Sequence, residues 1–316
     1  MKKYQHLYGP VPSRRLGRSL GIDLVPHKIC TYDCIYCQIG KTTQKTFLRK
    51  AYLPAKKVLE ELESFLEEDE SSMDHFSLSG SGEPTLHAKI GFIIKEIKAI
   101  TSIPLAVITN GSLLYEEEVR KDLSQADVIL PSLDAVSPEV FEKINRPPQG
   151  FSIQKVIEGL IDFRKDYKGK IWLEILFCKG VNDQPDELQK MKEVLERIQP
   201  DLIHLNTVVR PPSEINAIPL NLMEMEAIRA FLGEKASIIS EFDRHPSFST
   251  QENLEEKILT ILKRRPLSLA DLSLRMGIPP DELYRSVDLL IKEKKVQIQI
   301  FEDSIYYKTQ GSVTTL

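Results

Sequence analysis

The sequence predicts an α/β fold, a parallel sheet covered by helices, followed by a smaller module of another kind. Three observations predict it. Short apolar runs rich in branched residues alternate with helix-period stretches between residues 21 and 233. Gly, Asn, Asp and Arg gather at the ends of those runs, and the pattern changes after residue 245.

The apolar runs are GIDLV (21–25), HFSLSGSGE (75–83), PLAVITNG (104–111), DVILPSLD (127–134), KIWLEILFCKG (170–180) and DLIHLNTVVRP (201–211). Between them KKVLEELESFLEE, HAKIGFIIKEIKAI, EEEVRKDLSQA, SIQKVIEGLIDFRKDY, PDELQKMKEVLERIQ and LMEMEAIRAFLG repeat apolar residues three and four apart. Nearly continuous apolar strands joined by helices imply a parallel sheet buried on both faces. About six such units form either a doubly wound sheet or an open (β/α) barrel. In both, the working site lies at the carboxyl ends of the strands. Gly82-Glu83-Pro84, Thr109-Asn110-Gly111, Ser132-Leu133-Asp134, Cys178-Lys179-Gly180 and Val209-Arg210-Pro211-Pro212 all fall there.

Composition excludes several classes. With 41% hydrophobic and 28% charged residues, the chain is neither disordered nor a membrane protein, and its apolar runs are strand-sized. The opening MKKYQHLYGP has two lysines but no apolar core of a signal peptide behind them. A net charge of −4 gives no global attraction to nucleic acid. Three clustered thiols and one distant one suit a reducing cytoplasm better than a disulfide framework, so a cytoplasmic location is expected.

Those thiols stand in CTYDCIYC (30–37), with Cys178 far away. A structural zinc site takes four ligands, usually as two separated pairs, and here only Cys178 or His27 is left to complete it. An iron–sulfur cluster prefers thiolates, and three of them leave one iron open. Buried cysteines that pack like small hydrophobes are the plain alternative. The polar Thr31, Asp33 and Gln38, and the lack of a sustained apolar period, favour metal or cluster binding.

CxxxCxxC with Tyr36 just before its third cysteine resembles the cluster loop of the radical S-adenosylmethionine (SAM) enzymes. LSGSGEPTL (78–86) resembles their Gly-Glu strand motif and ITNGSLL (108–114) their third-strand segment. With GPVPSRRLGRSLGIDLVP (9–26) and NRPP (145–148), the likeness covers about residues 9–240. It points to an Fe–S oxidoreductase subgroup related to the tRNA wyosine-synthesis enzymes.

The resemblance implies a partial (β/α)6 TIM-type barrel over residues 1–245. Cys30, Cys34 and Cys37 would ligate three irons of a [4Fe–4S] cluster, and SAM would chelate the fourth. The reduced cluster would cleave SAM to methionine and a 5′-deoxyadenosyl radical that takes hydrogen from the substrate. A ferredoxin- or flavodoxin-type donor would supply the electron. Glu83 would accept a charge-assisted hydrogen bond from the methionine ammonium, and Gly80 and Gly82 would let the backbone approach the cofactor. Tyr36 would lie near the adenine, Asn110 near the carboxylate or ribose, and Ser132 and Asp134 near the ribose hydroxyls. The wyosine enzymes carry a second cluster on additional N-terminal cysteines. Here no cysteine precedes Cys30, so the ligand count leaves none for a second cluster.

Other residues are candidates for the substrate. Arg14, Arg15 and Arg18 cluster before the first strand, and Arg146 and Arg210 each precede proline. In loops stiffened by proline, guanidiniums are suited to clamp a carboxylate or phosphate, although surface ion pairing is as common a fate. Glu174 is odd within an apolar strand and is expected to face the barrel interior. Cys178 reads best as a buried strand cysteine.

Residues 246–316 read as a winged-helix domain. HPSFST is a linker, and NLEEKILTILKRRP and LSLADLSLRMG are helices, the second N-capped by Ser268 and ended by Gly277. PPDELYRSVDLLIKEKK is a third helix, and VQIQIFEDSIYYK forms two strands around Glu302-Asp303. From Glu252 to Lys308 there are ten acidic and ten basic residues, with Lys292, Lys294 and Lys295 the one local cluster. That balance lacks a nucleic-acid footprint, and docking of a protein or RNA substrate is the expected role. A cluster-based redox sensor that regulates transcription is the alternative. A complete cofactor pocket favours the enzyme.

Overall fold

The computed structural model describes residues 4–68, 73–239, 254–263, 265–276, 278–301 and 304–309. The linker at 245–250, Gly277 and the turn Glu302-Asp303 lie outside the described residues.

Each expected apolar run becomes a strand of one eight-stranded sheet. Its first two strands, β1 (Leu7–Ser13) and β2 (Gly17–Ile22), form an antiparallel hairpin. Two short strands, β3 (Ile29–Cys30) and β4 (Gln44–Lys45), pair in the loop that follows. The sheet continues in β5 (His75–Leu78), β6 (Leu105–Thr109), β7 (Val128–Pro131), β8 (Lys170–Phe177), β9 (Leu202–Thr207) and β10 (Ala236–Ile238). Its order is β1-β2-β5-β6-β7-β8-β9-β10, parallel from β2 onward. Strands thus follow one another in space as in sequence, which is barrel winding; a doubly wound sheet reverses its order at a switch point.

Helices cover the sheet: α1 (Ala55–Glu68), α2 (Ile90–Ile100), α3 (Glu117–Leu123), α4 (Pro138–Ile144), α5 (Ile153–Asp166), α6 (Pro185–Ile198) and α7 (Leu222–Leu232). Their starts are legible in the chain. Ser152 caps α5 through Gln154 N, Asn221 and Glu224 form a capping box on α7, and prolines open α4 and α6. The main core lies between sheet and helices, with Phe76, Phe163 and Phe177 its largest fully buried side chains. A smaller cluster of Leu16, Ala106, Val128 and Leu130 packs with Ile108 and Trp172. The antiparallel β1, the short strands β3 and β4, the short α4 and the edge strand β10 were not anticipated.

After the undescribed segment come α8 (Leu254–Leu262), β11 (Leu267–Ser268), α9 (Leu269–Met276), α10 (Pro280–Lys292), β12 (Val296–Phe301) and β13 (Ser304–Thr309). The strands form an antiparallel sheet in the order β11-β13-β12 over a separate core that includes Ile258, Leu272, Leu283 and Val287. Ser268 caps α9 as expected, its Oγ accepting from Asp271 N at 3.0 Å. This module sits on the barrel. Tyr306 Oη donates to Val209 O at 3.0 Å, and Arg210 pairs with Asp271 at 3.3 Å. Among the described residues no helix is long and apolar enough to cross a membrane.

Candidate cluster and cofactor site

The loop from β2 to α1 carries the three cysteines, and other loops clamp it from both sides. Asp33 N donates to Asn145 O and Ile35 N to Ile144 O, each at 3.0 Å, so the end of α4 holds one side. On the other, Ser213 Oγ donates to Cys34 O at 2.9 Å and Glu214 N to Ile35 O at 3.0 Å. Arg146 pairs with Glu214 at 2.8 Å and ties the two clamps together.

Each cysteine is half-buried and meets a side-chain nitrogen donor. Asn110 Nδ2 lies 3.6 Å from Cys30 Sγ, Asn145 Nδ2 3.4 Å from Cys34 Sγ, and Lys28 Nζ 3.1 Å from Cys37 Sγ. Lys28 is only 4% exposed. Burial pulls its pKa down, but the Cys37 and Cys30 sulfurs outweigh burial and the net direction is upward. Burial, with Glu83 nearby, pushes the Cys30 thiol up to about 11, and burial with Asp134 raises Cys34. Protons must therefore leave these thiols when iron binds. Among the described residues no three His, Cys, Asp or Glu side chains converge on a single ion. Three thiols with amide and ammonium donors against their sulfurs, one of them on a buried lysine, fit a cluster better than zinc.

The strand-end residues meet around this loop as hydrogen-bond hubs. Glu83, 2% exposed, caps the short turn at 84–86. Its Oε1 accepts from Thr85 N (3.1 Å), Thr85 Oγ1 (2.6 Å) and Thr109 Oγ1 (2.6 Å), and its Oε2 from Asn110 N (2.7 Å). Burial raises its pKa against those four bonds. Asn110 Nδ2 also donates to Thr31 Oγ1 at 2.7 Å, fastening β6 to the cluster loop. Asp134 accepts from Leu176 N at 2.9 Å, from Asn145 Nδ2 at 2.8 Å and from the Tyr36 hydroxyl. Ser132 N donates to Thr109 O at 2.9 Å, and Ser132 forms a parallel bridge with Glu174 across the sheet.

The glycines also permit tight packing within the protein. A Cβ on Gly82 would lie 2.0 Å from Ile29 O, and one on Gly80, where φ is +143°, would meet the Asp23 carboxylate at 2.5 Å. The close approach they permit is to the protein's own cluster loop. Asp23 in turn accepts from Ser81 N and Oγ, the latter at 2.6 Å.

The expected substrate residues separate. Arg15 forms an ion pair with Glu174, which also accepts from Asn206 Nδ2 at 3.1 Å. Arg14 reaches Asn206 Oδ1 at 3.5 Å, and Arg210 lies over the same space. Arg14 and Arg15 stand at the amino end of β2, opposite the strand-end mouth, and their long side chains reach Glu174 in the middle of β8 and Asn206 near the carboxyl end of β9. Arg18 does not line that space; its N donates to Asp74 at 2.7 Å. Arg146 is a clamp of the cluster loop. Cys178 is fully buried, its thiol pushed up to about 12 by burial and Asp134. Sequence reasoning missed Lys28, Thr31 and Asn145. Asn145 begins the NRPP segment and was legible there, whereas Lys28 carried no signal beyond its place two residues before Cys30.

The family model of the radical SAM superfamily matches residues 24–191. A GTPase Obg of Brachyspira hyodysenteriae is 36% identical over 96% of this chain, which spans 45% of that relative's length. A UPF0026 protein of Methanocaldococcus jannaschii is 34% identical over 82% of each chain. A solved radical SAM methyltransferase of Sphaerobacter thermophilus superposes with a TM-score of 0.54 at 15% identity, over 70% of this chain and 65% of that one. With its cysteine loop at the strand ends of an open α/β barrel, the chain belongs to the radical SAM superfamily, whose cofactors are a [4Fe–4S] cluster and S-adenosylmethionine.

Proposed function

We propose that this chain is a radical SAM enzyme in which Cys30, Cys34 and Cys37 hold the cluster, and the loops ending β5, β6 and β7 receive SAM. When bound, the pair supplies reductive cleavage of the sulfonium to a 5′-deoxyadenosyl radical for hydrogen abstraction. The observation that carries the reading is one continuous cavity of about 1710 Å³. It is lined by Tyr36 and Cys37 of the cluster loop, by Ser79 and Gly80, and by Glu174 of β8 and Asn206 of β9. A substrate in it lies beside the cofactor loops.

The protein's own residues position and shield. Lys28, Asn110 and Asn145 stabilise negative sulfur. Glu83 keeps one lone pair on Oε2 for the methionine ammonium beyond its bond from Asn110. Tyr36 is held by Asp134 at the rim where adenine would rest, and Ser132 and Asp134 are the candidate ribose contacts. The terminal module, which we read as a winged helix beginning near residue 246, covers the cavity's side and contributes to its lining through α8, α9 and α10. A small ferredoxin- or flavodoxin-type protein is the fitting electron donor, because the cysteines are half-buried near a surface.

Anaerobic reduction with dithionite in the presence of SAM tests this. The reconstituted chain should carry about four irons and release 5′-deoxyadenosine. Cys30→Ala, Cys34→Ala and Cys37→Ala should each abolish both, and Cys178→Ala neither. Glu83→Gln should weaken SAM binding by about 1.5–3 kcal/mol, the range for a hydrogen bond to a charged group. Full iron content after loss of a motif cysteine would refute the assignment.

A further inference from the structure

The cavity is cationic in a chain that is not. Overall, 42 Lys and Arg stand against 46 Asp and Glu. The cavity lining has seven Lys and Arg against three Glu. Three of the cations, Arg14, Arg15 and Arg210, come from the barrel, and Arg265, Arg275 and Arg285 from the terminal module.

Four of these guanidiniums are close enough to oppose one another. Burial, with Arg14 and Arg210 nearby, brings Arg15 down to about 10, and burial with Arg210 and Arg14 brings Arg275 down to about 9. Arg15 and Arg275 both remain charged at neutral pH. Glu174 offsets Arg15 and Asp271 offsets Arg210, and Arg210 Nε is buried with no partner. Among the described residues Arg275 forms no ion pair. The fold thus holds Arg275 with no ion pair among the described residues and Arg210 Nε with no acceptor, beside further guanidiniums, a cost that a bound polyanion removes.

We propose that this cavity takes a small phosphorylated molecule, its phosphates held by Arg14, Arg210 and Arg275 and its organic part directed toward Cys37 and Gly80. Forked guanidinium donors match phosphate oxygens bidentately, and several of them match more charge than one carboxylate brings. Tyr8, which lines the same cavity, donates to or accepts from Ser79 Oγ at 2.6 Å and joins the arginine end to the cofactor end. Ile108, Leu176, Val208 and Met276 add apolar lining. An RNA strand fits less well, because outside the cavity two of the module's clustered lysines are already paired, Lys292 with Asp288 at 2.6 Å and Lys295 with Glu293 at 2.7 Å. The inference deepens the proposed function by naming the substrate class of the same cavity.

The test is calorimetry and thermal denaturation of the full chain at constant ionic strength, without SAM, with inorganic pyrophosphate, citrate or a single-stranded RNA oligomer as probe. Pyrophosphate should bind, raise the melting temperature, and bind at least tenfold more weakly to Arg275→Gln and Arg14→Gln. Arg275→Lys should retain part of the affinity, and all three variants should melt cooperatively. Citrate binding as tightly as pyrophosphate would overturn the phosphate assignment. Tighter binding of RNA, or equal binding of pyrophosphate by wild type and variants, would overturn the site. SAM cleavage by the wild type is read separately, so pyrophosphate binding without it would defeat the radical reading and leave this one standing.

Discussion

Lys28 shows how one side chain is committed by its surroundings. A lysine 4% exposed is costly unless negative charge meets it, and what it meets is sulfur, at 3.1 Å from Cys37. Its ammonium therefore favours the more negative, reduced state of a bound cluster. Lys28→Met should lower the reduction potential by about 60 mV or more, the shift that ~1.4 kcal/mol makes in a one-electron couple. Redox titration followed by electron paramagnetic resonance measures it, and an unchanged potential would mean that Lys28 is packing alone. His204 is a second case. It is 8% exposed beside Trp172, with ring centroids 5.8 Å apart. Burial, with Arg15 nearby, lowers its pKa from 6.5 to about 4. The unfolded chain takes a proton near 6.5 that the folded chain refuses until about 4, so stability is lost as pH falls through that window. The loss approaches about 3 kcal/mol at its lower end. Urea denaturation of the apoprotein between pH 7 and 4 should show this slope, and His204→Leu should flatten it.

At the scale of elements, the strand ends and loops assemble the site by contact rather than by sequence proximity. The turn after β5 presses on the cluster loop through Gly82, and Glu83 N donates to Ile29 O at 3.1 Å. Gly82→Ala would drive a Cβ into that backbone carbonyl, which has no side-chain freedom to yield. We expect it to cost more than about 3 kcal/mol and to lower iron loading. Gly40→Ala is the comparison: its φ of +97° strains an alanine, but nothing lies within 4 Å of the added carbon. It should cost about 1–2 kcal/mol and keep the iron. Equal effects in denaturation and iron analysis would remove the contact from the explanation. The helices were readable because apolar spacing and caps are local. Helix α4, seven residues long, was not read, yet its end holds the cysteine loop.

For the whole molecule, the barrel and the terminal module contribute separable parts. The partners of the cysteines, Glu83, Asn110 and Asp134 all come from residues before 215, whereas part of the cavity wall comes after 253. Deleting residues 250–316 should therefore leave dithionite-driven SAM cleavage largely intact and abolish pyrophosphate binding. Chromatographic measurement of 5′-deoxyadenosine against calorimetry separates the two, and loss of cleavage itself would show that the module holds the cofactor site together.

The sequence by itself determined the parallel α/β architecture, because period and apolar runs are written along the chain. It also determined the three-thiol donor set, because the ligands lie within eight residues. Only tertiary structure decided what the strand-end polar residues do. Glu83 and Asp134 were read as facing a cofactor, and each already accepts several internal bonds from residues distant in the chain. It likewise sorted the arginines. Arg14, Arg15 and Arg210 meet Arg275 in one cavity, whereas Arg18 stays outside it and Arg146 clamps a loop. The physical reason is range: periodicity and ligand spacing act between near neighbours. Hydrogen-bond saturation and the crowding of like charges arise only when segments far apart in sequence are brought within a few ångströms.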